Sequence, residues 1–242
     1  MHMQEFVLIT LIVFLAAFIQ SLSGFGSALV AMPLLVLIMN IKTATPLVAL
    51  YSFVIGIILF LQLKKHFDIK KPLPLIIGSV FGVPIGIYAL KLINENIIKL
   101  ILGGSLTAYS LYILIRKEVH FNMSKKWGYM FGFIAGCFGG AFNANGPPAI
   151  IYTTLQKWKK HEIKVTLQSY FLSAGIIIIA MHAISGITTL LVLKYFFIFL
   201  PALLLGIFLG HHFYEKIDKK VFNKIIYGIL FILGSVLVIT SL

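Results

Sequence analysis

Apolar residues run through this chain in long blocks, broken by short clusters of lysine and by a few small or helix-breaking residues. A helix needs roughly 20 apolar residues to cross a hydrocarbon core of about 30 Å. Residues 43–63, 72–90, 195–214 and 225–242 meet that length. Residues 100–115 form a shorter candidate, and residues 165–185 hold another. Two further uncharged stretches are too long for one crossing. As single helices, residues 6–41 would extend about 54 Å and residues 127–156 about 45 Å. Each is interrupted, the first at Ser23-Gly24-Phe25-Gly26-Ser27 and the second at Asn143-Ala144-Asn145-Gly146-Pro147-Pro148. The pattern predicts that each long stretch breaks there and turns back.

Charge decides the threading. Cytoplasmic loops of membrane proteins carry an excess of Lys and Arg. If every stretch crossed once, eight spans would split the 20 basic residues nearly evenly, 9 against 11. If both long stretches fold back as hairpins, sixteen fall on one side, in loops 64–71, 116–126, 157–164 and 216–224. Only Lys42, Lys91, Lys99 and Lys194 oppose them. The hairpin threading is therefore preferred, with both termini on the extracytoplasmic side of an inner membrane.

The predicted fold is an all-α polytopic membrane protein of two inverted repeats. Each is a re-entrant or broken helical hairpin followed by three transmembrane helices. The first repeat covers residues 1–118 (hairpin 6–41; spans 43–63, 72–90, 100–115). The second covers residues 124–242 (hairpin 127–156; spans 165–185, 195–214, 225–242). Internal similarity supports the duplication. Gly82 and Gly86 with residues 91–96 match Gly206 and Gly210 with residues 215–220 at an offset of 124. Tyr51 and Gly56 match Tyr170 and Gly175 at an offset of 119. Such repeats with broken helices near the midplane are a recurrent transporter plan.

Composition narrows the chemistry. With 60% apolar and 11% charged residues the chain is unlike a soluble domain, which carries about 25% charge. The net charge of +13 resides in loops between apolar stretches, so nucleic acid is not the expected partner. The single cysteine, Cys137, excludes an internal disulfide, and His211-His212 lack further ligands for a metal. No cofactor or metal is expected. None of the seven Asp and Glu falls inside a predicted span, whereas cation transporters usually need such a group at membrane depth.

What remains at the breaks suits an anion. A restarted helix presents unpaired N–H groups and the positive end of its dipole. Broken backbone within a membrane is tolerated only where protein or a water-filled cavity covers it. Gln20, Ser23, Ser27, Asn143 and Asn145 add neutral hydrogen bonds, while Gly24, Gly26 and Gly146 let a ligand approach the backbone. Tyr51 and Tyr170 occupy matching positions as candidate wall residues, with aromatic packing as their alternative role. His182 is either a proton carrier or a helix-packing residue. The predicted ligand is a small anion bound between the two breaks. An intramembrane hydrolase using Ser185 and His182, and a non-transporting anion receptor, are the alternatives; a homo-oligomer is left open.

At the same two breaks the sequence resembles the TauE/SafE family of sulfite exporters and related organosulfonate permeases. The resemblance rests on Gly24-Phe25-Gly26-Ser27-Ala28-Leu29-Val30-Ala31-Met32-Pro33-Leu34-Leu35. It rests equally on residues 139–152, with the Gly146-Pro147-Pro148 motif after a glycine-rich turn. Ser27, Asn143 and Asn145 stand where that family commonly has glycine. The resemblance implies a secondary transporter, without enzymatic activity, for a small sulfur-containing anion such as sulfite, a sulfonate or sulfoacetate.

Overall fold

The structure is a computed structural model that describes residues 3–63, 68–115, 123–214, 217 and 219–242. Parts of the lysine-rich loops counted above, including Lys64, Lys65, Arg116, Lys117 and Lys216, lie outside the described residues, as do parts of the matched segment 215–220.

The described residues form ten helices. The first long stretch becomes α1 (Met3–Ser23) and α2 (Ser27–Leu35); the second becomes α6 (Lys125–Phe142) and α7 (Gly146–Leu155). Between them run α3 (Ile41–Leu63), α4 (Leu73–Leu92) and α5 (Glu95–Ile115). The chain closes with α8 (Lys160–Ile184), α9 (Leu190–Phe213) and α10 (Lys219–Ser241). The returning arms α2 and α7 are about 13 and 15 Å long, too short to cross a bilayer. Seven helices among the described residues are long and apolar enough to cross: α1, α3, α4, α5, α8, α9 and α10. Six were predicted; the seventh is the outgoing arm of the first hairpin, which carries no charge from Phe6 as far as Ser23.

Two helices, α5 and α8, begin earlier than hydropathy alone predicts, each with a glutamate in its first turn. Glu95 opens α5, accepting from Asn40 Nδ2 at 2.7 Å and from the Ile41 amide at 3.3 Å and pairing with Lys99 at 2.8 Å. Glu162 in the first turn of α8 accepts from the Lys159 amide at 2.8 Å. Carboxylates suit the positive end of a helix. Large apolar side chains such as Phe81, Tyr88, Phe208 and Ile232 point outward, as lipid rather than water requires.

Packing crosses the two halves of the chain. α4 lies against α6, α1 against α9, α3 against α8 and α5 against α10. Three of these seams are closed by glycine, the α5–α10 seam by Gly103 and Gly234, each of whose Cβ would meet the other helix's backbone. A Cβ at Gly78, Gly82 or Gly86 would land on the backbone of α6, and one at Gly132 or Gly140 on that of α4. At Gly210 a Cβ would stand 2.6 Å from the Ser21 Cβ of α1. Removing side chains lets backbones approach, and across the α4–α6 and α1–α9 seams a hydroxyl then reaches a carbonyl. Ser79 Oγ donates to Gly132 O at 2.9 Å, and Ser21 Oγ to Ile207 O at 3.0 Å.

Polar contacts gather at the two ends of the bundle. At one end Lys71 Nζ meets Glu162 Oε1 at 2.6 Å. At the other, Lys42 Nζ donates to Lys91 O at 3.1 Å and Lys91 Nζ to Ser185 O at 2.9 Å.

Candidate functional site

The first break is a turn made by two left-handed glycines, Gly24 (φ 84°) and Gly26 (φ 102°). Residues with a Cβ avoid that region, so glycine at both positions is what lets the chain reverse within three residues. Ser23 locks the turn: its hydroxyl contacts Ile19 O at 2.7 Å and Phe25 O at 2.5 Å. Helix α2 then restarts, and its first amide, that of Ser27, donates to Gln20 Oε1 at 3.2 Å. The next two amides, of Ala28 and Leu29, have no acceptor further back in their own helix.

The second break turns on Asn143, the one described non-glycine residue in the left-handed region (φ 52°), an excursion that Asn tolerates. Its amide returns to Gly139 O at 2.9 Å and closes α6. Asn145 precedes α7, which opens on Gly146 with two prolines in its first turn. Because Pro147 and Pro148 have no N–H, this terminus offers fewer backbone donors than α2 does. Side-chain amides make up the difference.

The two breaks meet. A cavity of about 40 Å³, lined on one side by Gln20, Gly26 and Ser27 and on the other by Asn143, Asn145 and Gly146, lies between them. By volume it holds roughly three waters or one small oxyanion. Ala28 and Leu29 also line it, and none of the described residues in its wall is charged. Its floor and sides come from Ser52 and Phe53 of α3 and from Phe171 and Gly175 of α8.

Ser52 was not singled out from sequence, yet it joins both breaks. Asn143 Nδ2 donates to its Oγ at 3.2 Å, and Ser27 Oγ lies 3.2 Å from the same oxygen. Its residue type gave no signal, but its place did. Ser52 is the middle residue of α3 and adjoins Tyr51, a position the internal similarity had already marked.

The remaining candidates lie elsewhere. Ser23 and Gly24 face a separate chamber on the opposite side of the first turn. Tyr51 and Tyr170 do not line the 40 Å³ cavity; both are buried behind it. The Tyr51 hydroxyl donates to Tyr195 O at 2.9 Å, tying α3 to α9. That of Tyr170 bonds Ser79 Oγ at 2.8 Å, tying α8 to α4. His182 is fully buried against α6, its Nε2 3.0 Å from Gly140 O. Ser185 Oγ donates to the His182 carbonyl at 3.0 Å, not to its ring, so the two do not form a nucleophile and base. Among the described residues no three His, Cys, Asp or Glu side chains cluster as a metal site would.

A profile of the family described as Sulfite exporter TauE/SafE matches residues 9–237, almost the whole chain and both breaks with it. The chain belongs to the sulfite exporter TauE/SafE family. No curated protein and no solved structure matches it. Together with the seven apolar helices, membership in this family makes the chain a multi-pass membrane protein and points to membrane transport of a sulfur anion.

Proposed function

We propose that this member of the family is a secondary transporter of sulfite or an organosulfonate, bound in the cavity between the two breaks and released by alternating access. The observation that carries this reading is the convergence of both breaks on one cavity whose described wall is uncharged and sets a few polar side chains among apolar ones. The start of α2 supplies amides and a positive dipole end, and Gln20, Ser27, Ser52, Asn143 and Asn145 supply neutral hydrogen bonds. A wall without Lys or Arg holds an anion by dipoles alone, which favours release as well as capture. A monoanion leaving the cell gains about 2.3 kcal/mol per 100 mV of membrane potential.

The halves 1–118 and 124–242 act as inverted repeats in this reading, in an inner membrane with both termini outside. The exchange of partners supports it: α1 packs on α9 as α6 packs on α4. The 2.6 Å contact of Lys71 with Glu162 supports the hairpin threading, because loops on opposite faces of a 30 Å core could not make it.

Proteoliposomes loaded with labelled sulfite test the function. Wild-type vesicles are expected to release sulfite faster than protein-free vesicles, and Asn145→Ala and Ser27→Ala to raise KM. Absence of flux in the wild type removes the transporter reading. Wild-type kinetics in both variants remove the site while leaving transport intact.

A further inference from the structure

Most of the hydrogen-bonding side chains of the midplane cavity form one connected chain. The Ser27 amide donates to Gln20 Oε1 at 3.2 Å, Ser27 Oγ lies 3.2 Å from Ser52 Oγ, and Asn143 Nδ2 donates to that same oxygen at 3.2 Å. Because Oε1 of Gln20 is the acceptor, its Nε2 is left to donate, on a side chain that is 5% exposed and part of the cavity wall. Whichever serine donates to the other, one hydroxyl proton is left over. Together with the Ala28 and Leu29 amides at the start of α2, these groups line the seam where the two breaks meet.

The wall contributed by the two middle helices is different. Beside Ser52, α3 supplies Ala49 and Phe53, and α8 supplies Phe171 and Gly175, none of them with a side-chain donor. Gly175 makes room for a ring, since a Cβ there would stand 3.3 Å from Phe53 Cδ2. A Cβ on Gly146 would meet the tip of the Phe171 ring at 4.0 Å. The two rings therefore bridge α3 to α8 and α8 to the start of α7 around the cavity. Phe25, a third ring in the wall, is stacked on Tyr227 of α10 with centroids 6.4 Å apart.

A cavity so divided suits an anion that is itself two-faced. Sulfite is a pyramid with three oxygens on one side and the sulfur lone pair at its fourth corner. A sulfonate keeps the three oxygens and places carbon at that corner. Sulfate and sulfamate place oxygen or nitrogen there, and against an aromatic ring that atom finds no partner. Volume sets a second limit. About 40 Å³ takes one such headgroup, so an alkyl tail must push a ring aside. We propose that Phe53 and Phe171 are the specificity-determining residues of this cavity, restricting it to a compact anion with three oxygens on one face and a non-polar fourth corner. Sulfite and methanesulfonate meet that description; sulfate, sulfamate and long-chain sulfonates do not. This selectivity rests on the transport reading and narrows its substrate class. The donors at the breaks hold the charge, and the rings reject the wrong shape.

The test is competition against sulfite flux in proteoliposomes. Methanesulfonate and sulfamate have equal charge and nearly equal shape, differing by an amino group in place of a methyl. Methanesulfonate is expected to inhibit about tenfold more strongly, because the amino group is buried without a partner. 1-Butanesulfonate is expected to inhibit about tenfold less than methanesulfonate, because its tail overpacks the cavity. Phe53→Ala and Phe171→Ala are expected to bring butanesulfonate level with methanesulfonate, and Phe171→Asn to bring sulfamate level with it. Phe53→Leu and Phe171→Leu, which remove less volume, are expected to shift the butanesulfonate ratio in the same direction and serve where an alanine variant does not fold. Equal inhibition by methanesulfonate and sulfamate in the wild type, butanesulfonate as strong as methanesulfonate there, or a wild-type order that survives in the ring variants would each overturn the assignment. Wild-type protein that moves no sulfite removes the transport reading instead. Calorimetric titration of the purified protein with the three anions then decides the selectivity separately.

Discussion

Asn143 and Ser52, 91 residues apart in the chain, share a hydrogen bond of 3.2 Å that fastens the second break to the middle of α3. Because Ser27 of the first break lies 3.2 Å from the same hydroxyl, one small side chain sets the spacing of both halves of the site. Ser52→Ala removes both contacts, each worth about 1 kcal/mol. It is expected to raise KM for sulfite roughly tenfold and to lower Tm only slightly. Ser52→Thr, which keeps the hydroxyl, is expected to retain most of the affinity. Initial-rate flux with thermal denaturation of the detergent-solubilised protein reads both quantities.

Two glycine substitutions separate backbone strain from steric conflict. A Cβ on Gly26 meets nothing within 4 Å, so Gly26→Ala carries only the cost of positive φ, about 1–2 kcal/mol. The same change at Gly82 drives a methyl into the α6 backbone. Gly26→Ala is expected to yield folded protein with reduced Tm and altered flux. Gly82→Ala is expected to give little monodisperse protein in size-exclusion chromatography. Equal stability of the two variants would contradict the packing described for the α4–α6 seam.

The threading makes a prediction about sidedness. In a Cys137→Ala background, single cysteines replacing Lys70 and Lys159 are expected to react with a membrane-impermeant thiol reagent from the same side. Cysteines replacing Lys42 and Lys91 are expected to react from the other. The Lys71–Glu162 pair behind this expectation is about a quarter exposed, at 24% and 30%. A double-mutant cycle on it is therefore expected to give less than about 1 kcal/mol. Its value is as a marker of location.

His182 touches Gly140 O and lies outside both cavity walls. His182→Ala is expected to destabilise the protein by about 1–3 kcal/mol, through the void and the unpaired carbonyl. The shape of the pH profile of sulfite flux is expected to stay as in the wild type. A flattened profile would make His182 part of proton coupling after all.

The architecture was legible because the features that set it are long or abrupt. Six spans emerged from apolar runs, and both breaks from glycine, asparagine and proline clusters that no membrane helix carries without reason. Helix ends were less legible. Glu95 and Glu162 look like loop residues until the Asn40, Lys99 and Lys71 partners that hold them are seen in space. At the site, sequence identified the residues on the breaks and missed those facing them. Phe53 and Phe171 are indistinguishable from other apolar residues of a span, and a lone serine such as Ser52 is common in one. The matching of Tyr51 with Tyr170 was informative in another sense: both hydroxyls tie a central helix to a neighbour, leaving the adjacent Ser52 and Phe171 to face the cavity.

The glycine-closed seams also say what can move. α4 and α6 touch backbone to backbone, as do α1 and α9 and α5 and α10, and in each pair one helix comes from before the middle of the chain and the other from after it. A cut near residue 120 thus divides the gene product but not the machine. Any swing that leaves these zippers fastened must carry α1 along with α9, α4 along with α6, and α5 along with α10, as mixed blocks sliding past one another.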